Sequence, residues 1–251
     1  MTGPSTDVAN WSEAAEQWIA WARTENHDAF WAYRSAFAEF VGPGTGEAVE
    51  IGGGEGRISR LLTNLGWRTT LVEPVEPLMS AAKEAQSAHS YVSAAADAVP
   101  LDSDRFDLVM LYNVLMDVDD LTGSVVEAAR LLAPTGRMIV GIVHPIQDVL
   151  SAVNKGRVVT PYFAAQHFDE TFTRNGLEMR FRGWMRPLSD YVNTLAEAGL
   201  AISRMAEPEP DPQHPVTQRL TNGRVRPVFL WLDLCKAQSG KRASMHDEQE
   251  S

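Results

Sequence analysis

Glycine is concentrated at one point of the sequence, where Gly52, Gly53, Gly54 and Gly56 separate an apolar run from a helical pattern. A strand that enters a helix through glycines presents free backbone N–H groups and the positive end of the helix to a ligand. The spacing differs from the G-x-G-x-x-G dinucleotide fingerprint, because the third glycine position is Arg57, and no Gly-Lys-Ser/Thr of a P-loop follows. A turn that merely packs a helix against a sheet is the alternative interpretation.

Acidic residues stand where the predicted strands end, and they favour a ligand site over a packing turn. Glu50 lies at the end of the first strand, Glu73 follows the second strand, and Asp97 is placed at the end of the third. The carboxyl ends of parallel strands share one edge of a sheet, where ligands bind. An acidic residue after the second strand can accept both hydroxyls of a ribose. The sequence therefore predicts a site for a ligand that contains a ribose.

Alternating strands and helices must position these residues. The strands are predicted at "AVEI", "TTLVE", "YVSA", "FDLVMLY" and "RMIVGIV", with helices at about 56–65, 76–87 and "LTGSVVEAARLL" between them. This alternation predicts a parallel sheet with helices on both faces. Aromatic residues at helical spacing predict two helices before residue 42.

The alternating pattern ends at residue 144. Residues 145–183 show no clear period, a helix is predicted at 187–198, and "LAISRMAE" and "PVFLWLDL" read as strands on either side of a proline-rich link. A turn-rich link allows an antiparallel pair. The polar tail from residue 237 onward is predicted to be disordered.

Composition narrows the classes of function. The chain has 251 residues, a formal net charge of −11 and a pI near 5.0, so the basic footprint of a nucleic-acid-binding protein is missing from its sequence. The apolar runs are too short to cross a bilayer, and the first residues lack the pattern of a signal peptide. Cys235 is the single cysteine, which excludes an internal disulfide and a cysteine-based zinc site. We expect a cytoplasmic protein with no membrane partner and no metal.

Taken together, the motifs resemble a known family over about residues 45–145. "VEIGGGEGR", "TLVEPVEPLM", "AAADAVPL" and "FDLVMLYNVLMDVDD", followed by "EAARLLAPTGRMIVGIVHP", resemble successive motifs of class I S-adenosylmethionine-dependent methyltransferases. The likeness is to the small-molecule branch, of types 11 and 25, and more loosely to a bacterial subgroup whose flanking segments are similar. One departure is Met116-Asp117, at positions where many relatives carry a His-His pair.

The resemblance implies a Rossmann-like α/β fold. Its seven-stranded, mostly parallel sheet has the order 3-2-1-4-5-7-6, with the last strand antiparallel. We expect an N-terminal helical lid at 1–41, a methyltransferase domain at 42–236 with a small cap at 145–183 inserted after strand five, and a disordered tail at 237–251.

The resemblance also implies S-adenosyl-L-methionine as the cofactor and S-adenosyl-L-homocysteine as the product. Glu73 is expected to bind the ribose hydroxyls and Asp97 the adenine amino group. The full set of expected cofactor residues is Glu50, Gly52, Gly54, Gly56, Glu73, Leu78, Asp97, Ala98, Tyr112, Asn113, Trp18 and Arg23.

The acceptor is expected to be a small, partly apolar metabolite, such as a natural-product intermediate, bound by a monomer or homodimer. The candidate acceptor-binding residues are Tyr33, Tyr162, His167 and Trp184, and His144 after the fifth strand is the candidate catalytic base. Two alternatives stay open: a member that binds the cofactor without methylating, and a protein or RNA methyltransferase.

Overall fold

The computed structural model describes residues 6–147, 162–221 and 226–237. Seven helices lie within these residues: α1 (Thr6–Arg23), α2 (Phe30–Val41), α3 (Arg57–Asn64), α4 (Glu76–Glu84), α5 (Leu121–Leu131), α6 (Leu188–Glu197) and α7 (Pro215–Thr221). Nine strands accompany them: β1 (Glu47–Ile51), β2 (Arg68–Val72), β3 (Ser90–Val92), β4 (Phe106–Tyr112), β5 (Leu132–Val143), β6 (Gln166–Arg174), β7 (Leu177–Met185), β8 (Leu200–Ala206) and β9 (Phe229–Lys236).

Seven strands form one sheet in the order β3-β2-β1-β4-β5-β9-β8. The pairs from β3 to β5 are parallel, and β9 runs antiparallel to both β5 and β8. β1 and β4 are buried almost throughout, as expected for central strands that helices cover on both faces. With β6 and β7 set aside, this is the predicted order with an antiparallel last strand, so the predicted fold class is confirmed.

β6 and β7 form a separate antiparallel hairpin within the segment that showed no clear period. The aromatic side chains on one face of β6 are interrupted by Glu170, which hides the alternation that marks a strand. The proline-rich link contains α7, which was not predicted from the sequence. Of the predicted cap and tail, residues 148–161 and 238–251 lie outside the described residues.

Two strand boundaries differ from the sequence predictions. β3 ends at Val92, so Asp97 lies in a turn five residues beyond the strand rather than at its end. β5 includes residues 133–136, which were predicted as a turn, and its pairing with β4 is irregular between Phe106 and Leu108.

The two N-terminal helices have different surroundings. α2 packs into the core, where the fully buried Phe37 contacts the rings of Tyr112 and Trp231. α1 instead lies between α4 and the hairpin, and its Trp21 and Trp18 face Phe181 of β7. Arg182 of β7 also pairs with Glu13 of α1 at 2.8 Å. α1 and the hairpin therefore cover the same edge of the sheet together.

Candidate active site

The glycine loop between β1 and α3 has a backbone that requires glycine. Gly52, Gly54 and Gly56 have φ angles of 69°, 56° and 88°, in the left-handed region that side chains disfavour. A Cβ atom on Gly56 would lie 2.3 Å from the Ser87 hydroxyl oxygen, whereas one on Gly54 would meet no atom closer than the Trp18 indole nitrogen at 3.4 Å. Gly56 thus allows close packing against Ser87, which follows α4, and Gly54 leaves open space above the loop.

Glu73 follows β2 and is tied to the glycine loop. One carboxylate oxygen accepts from the Gly54 N–H at 2.9 Å, and the other accepts from the Val75 N–H at 2.9 Å. The residue is 4% exposed, and burial raises its pKa to about 7, against the lowering effect of these two amides. A carboxylate held in this way has a fixed direction and remaining lone pairs for a ligand.

Glu50 in β1 is the second buried carboxyl beside the loop. It is 2% exposed and accepts from the Ser59 hydroxyl of α3, and burial raises its pKa to about 8. Each of these acids is held near the carboxyl edge of the sheet by its own strand.

A cavity of about 530 Å³ lies above this edge, within the usual range for small-molecule sites. On one side its wall includes the glycine loop, Glu73, Leu78 and the turn that holds Asp97. The opposite side is rich in aromatic side chains from the N-terminal helices, the hairpin and β9, which are Trp11, Trp18, Trp21, Phe30, Phe168, Phe172, Phe181 and Phe229. The arrangement provides one polar, strand-anchored half and one apolar half.

Arg57, the first residue of α3, places its side chain between the polar and the apolar half of the cavity. The Arg57 guanidinium pairs with Asp28 at 2.6 Å and lies 4.8 Å from the centre of the Trp18 ring and 4.5 Å from that of Phe30. Its side chain is 12% exposed, so it presents a fixed positive charge inside the cavity. Ring faces on two sides add cation–π attraction to the ion pair.

Several buried polar atoms in the described part of the cavity wall lack a hydrogen-bond partner. Among the described residues, Asp28 Oδ1, the Tyr112 hydroxyl and Asn113 Oδ1 are buried without a hydrogen bond, and all three residues line the cavity. Unpaired buried polar atoms are rare because each costs free energy. Their position indicates a ligand that brings its own donors and acceptors.

Most of the residues predicted to bind the cofactor come together at this cavity. Those that line it are Glu50, Gly52, Gly54, Glu73, Leu78, Asp97, Tyr112, Asn113 and Trp18. Gly56, Ala98 and Arg23 do not line it. The Ala98 N–H donates to Ala95 O at 3.3 Å, while Arg23 pairs with Glu55 at 3.3 Å and donates to Ala81 O at 2.6 Å.

The four residues predicted to bind the acceptor lie away from the cavity wall. Tyr33 is fully buried against Phe229, with ring centres 5.0 Å apart. Tyr162 is 36% exposed. The rings of His167 and Trp184 pack against each other with their centres 3.5 Å apart, and His167 is exposed on the outer side of the hairpin. The wall is formed instead by Phe168, Phe172 and Phe181, because neighbouring residues of a strand point to opposite faces.

His144 directly follows β5, as predicted, but its ring is engaged outside the cavity. Nδ1 accepts from the Ile146 N–H at 3.1 Å, which leaves Nε2 to donate to Glu207 at 2.8 Å. Both ring nitrogens are therefore engaged in contacts with residues that do not line the cavity. The structure does not bring His144 to the candidate site, although the neighbouring Val143 lines it.

Sequence reasoning did not assign Asp28, Arg57 or Asp117 to the site. Arg57 had a local signal, since it begins the helix that follows the glycines. Asp28 had none, because a tertiary contact with Arg57 brings it there. Asp117 was noted for its departure from related sequences and lines the cavity. Among the described residues, no group of three or more His, Cys, Asp or Glu side chains is arranged to hold a metal ion, and no helix could cross a membrane.

Comparisons with known proteins agree with this geometry. Residues 49–140 match the model of the methyltransferase domain family. The chain is 24% identical over 177 residues to malonyl-[acyl-carrier protein] O-methyltransferase of Salmonella typhimurium, covering 70% of this chain and 67% of that protein. It is 34% identical over 88 residues to the enzyme of the same name from Enterobacter lignolyticus, covering 35% of each.

The fold is also similar to that of a solved structure. An S-adenosylmethionine-dependent methyltransferase from Mesorhizobium loti superposes with a TM-score of 0.60 at 20% identity, covering 82% of this chain and 97% of that one. At this identity the likeness concerns the fold.

Proposed function

We propose that this chain, which belongs to the class I S-adenosylmethionine-dependent methyltransferases, transfers the methyl group of its cofactor to a small, partly apolar metabolite. The observation that carries the proposal is the two-sided cavity. Its strand-anchored acids suit a nucleoside, and its aromatic half suits an apolar acceptor. The volume of about 530 Å³ matches small molecules, which favours a metabolite over a folded protein or RNA.

The residues that would hold the adenosine lie along the polar half. Glu73 would receive the two ribose hydroxyls on lone pairs that Gly54 and Val75 leave free. Asp97 would accept from the adenine amino group, and Leu78, which is 3% exposed, would pack on the adenine ring. These roles require a ribose and a purine together, as the proposed cofactor provides.

The amino acid part of the cofactor carries a carboxylate and an ammonium group. Arg57 would bind the carboxylate, while Asp28 Oδ1 and Asn113 Oδ1 would accept from the ammonium group. This assignment replaces Arg23, whose guanidinium is engaged with Glu55 and Ala81. The buried atoms that lack partners thus fit a zwitterionic ligand.

When bound, S-adenosylmethionine supplies a methyl group already activated on a sulfonium sulfur, so the protein mainly has to align the acceptor and exclude water. α1 and the hairpin would act as the cover that the N-terminal lid and cap were expected to provide. The α1–hairpin contacts of Trp18 and Trp21 with Phe181 would keep this half dry.

The curated relatives are named as O-methyltransferases of malonyl-[acyl-carrier protein]. A malonyl group joined to a carrier through one end keeps one free carboxylate. Acidic residues outnumber basic ones among the described residues of this cavity. The acids are Asp7, Asp28, Glu50, Glu55, Glu73, Asp97, Asp117, Asp119 and Asp120, and the bases are Arg57 and Arg174. A second carboxylate among these acids would be repelled, so we favour a different acceptor for this chain.

The experiment that tests the proposal has two parts. Calorimetry should detect binding of S-adenosylhomocysteine, and incubation with labelled S-adenosylmethionine and a metabolite extract should label a small molecule. Tight cofactor binding without any transfer would favour the alternative of a cofactor-binding protein with another role. Label that appears solely in protein or RNA would overturn the choice of a small acceptor.

A further inference from the structure

The loop after β4 carries a carboxyl group into the cavity. Met116, Asp117 and Val118 of this loop line the wall, and the Asp117 N–H donates to Val114 O at 2.8 Å, which fixes its main chain. The Asp117 side chain is half-buried, yet it makes no hydrogen bond or ion pair with any of the described residues. A carboxyl in the cavity wall that has no partner among these residues is available to a ligand that donates a hydrogen bond.

Arg186, which lies between β7 and α6, holds this loop in place. Its buried guanidinium donates to Leu115 O at 2.7 Å and to Val118 O at 2.8 Å, so it is hydrogen-bonded to the loop on both sides of Asp117. Trp184 of β7 makes two more hydrogen bonds to this loop. Its backbone N–H donates to Met116 O at 2.7 Å, and its indole N–H donates to Asp119 Oδ1 at 3.1 Å. Arg186 is therefore a positioning residue for the carboxyl.

The charged groups that face Asp117 come from three elements. Burial raises the pKa of Asp117 well above its usual range, Asp7 of α1 and Glu73 after β2 raise it further, and Arg186 lowers it. A carboxyl with a raised pKa is a stronger base than an ordinary aspartate. An adjacent positive charge on a ligand would also relieve the repulsion from the two neighbouring acids.

The remaining wall near the loop suits an organic cation. Phe168, Phe172 and Phe181 of the hairpin line the same cavity, and aromatic ring faces attract cations. The Arg57 charge is balanced by Asp28 at 2.6 Å, so it does not cancel the excess of acids. A positively charged N–H donor matches this combination of aromatic rings and unpartnered carboxyl.

We propose that the methyl acceptor is a primary or secondary amine, and that Asp117 binds its ammonium form and takes the proton that the nitrogen must lose. This inference rests on the proposed methyl transfer. The ammonium N–H bond breaks and its proton passes to the Asp117 carboxylate, which leaves a lone pair on nitrogen. That pair forms the new N–C bond while the S–C bond breaks and its electron pair stays on sulfur. Asp117 then releases its proton to solvent, and the product is a methylated ammonium ion.

The binding test uses the protein saturated with S-adenosylhomocysteine, so that no turnover is needed. Benzylamine, cyclohexylamine and 2-phenylethylamine are titrated by calorimetry beside alcohols and carboxylates of the same carbon skeletons. We expect the amines to bind at least about tenfold more tightly than their matched alcohols, as a desolvated charged contact would give. Equal or weaker binding of every amine, including no binding at all, would overturn the proposal without any variant.

The variant Asp117→Asn keeps the shape of the side chain and removes its charge. It should lose about tenfold or more of the amine affinity, while its affinity for the alcohols stays close to that of the wild type. Unchanged S-adenosylhomocysteine affinity shows that the variant is folded. Full amine affinity in Asp117→Asn would overturn the role of this carboxyl.

Transfer assays separate this inference from the proposed function. Methylation of amines in the panel by the wild type, with turnover lost in Asp117→Asn, is the expected result. Transfer to the alcohols or carboxylates in preference to the amines would overturn the amine inference and leave methyl transfer standing. Failure of transfer to every small molecule, with the cofactor bound, would instead overturn the proposed function.

Discussion

Protonation of Glu73 should control cofactor affinity around neutral pH. Burial raises the pKa of this carboxyl to about 7 in the free protein. Ribose hydroxyls donate to the ionised form, so bound ligand favours the carboxylate, and binding releases a proton when the group starts protonated. The affinity for S-adenosylhomocysteine should therefore fall as the pH drops below the pKa.

The magnitude follows from the fraction ionised. With a pKa of about 7, roughly one tenth of the carboxyl is ionised at about pH 6 and nine tenths at about pH 8, so the affinity should differ by about tenfold, or about 1.4 kcal/mol. Removing the charge with Glu73→Gln should weaken binding at about pH 8 by roughly 1.5–3 kcal/mol, since a hydrogen bond to a charged group is lost.

Calorimetry at several pH values, in buffers that differ in ionisation enthalpy, measures both the affinity and the released proton. Two variants serve as controls. Asp97→Asn should weaken binding yet keep the pH dependence, and Glu50→Gln tests the other buried carboxyl, whose pKa is raised to about 8. A tenfold pH effect that persists in Glu73→Gln, or a wild type with flat affinity, would refute the reasoning.

Three further predictions concern Gly56, Arg57 and His144. Gly56→Ala should lower the free energy of unfolding, measured in urea, by about 1–3 kcal/mol more than Gly199→Ala. Both glycines have positive φ, but an added Cβ would meet a close neighbour at Gly56 and none at Gly199. Equal losses would contradict the packing argument. Arg57→Lys should weaken S-adenosylhomocysteine about tenfold by calorimetry, since lysine cannot form a two-pronged contact with a carboxylate, and wild-type affinity would remove Arg57 from the cofactor site. His144→Ala should retain turnover within about threefold in the labelled-methyl assay, whereas loss of a general base costs about 10²–10⁴-fold.

The polar half of the site was predictable because its signals are local. The glycines and Glu73 are fixed by the ends of two neighbouring parallel strands, and strand register brings such ends together. Asp97 lines the cavity even though it lies beyond the end of β3, since the turn that carries it follows the same edge. The glycine motif and the strand ends predicted the positions of the glycines and Glu73, whereas Asp97 was predicted at the end of β3 and lies five residues beyond it.

The residues that sequence reasoning misplaced or missed depend on contacts between distant segments. The direction of the His144 side chain is set by Glu207, 63 residues away, and restriction of its backbone by Pro145 gives no information about that partner. The ion pair of Arg57 with Asp28 likewise joins α3 to the segment before α2. On the hairpin, a shift of one residue decides between Phe168 in the cavity wall and His167 outside it.

The hairpin that forms part of the aromatic wall is inserted between β5 and α6, and none of its strands pairs with the seven-stranded sheet. The glycine loop and Glu73, by contrast, belong to β1, β2 and their connections. Mutations that reshape β6 and β7 can therefore accumulate without disturbing the strands that carry the proposed cofactor site. In evolutionary terms, the hairpin is an exchangeable unit, and acceptor preference can diverge among descendants of this chain while cofactor use is inherited unchanged.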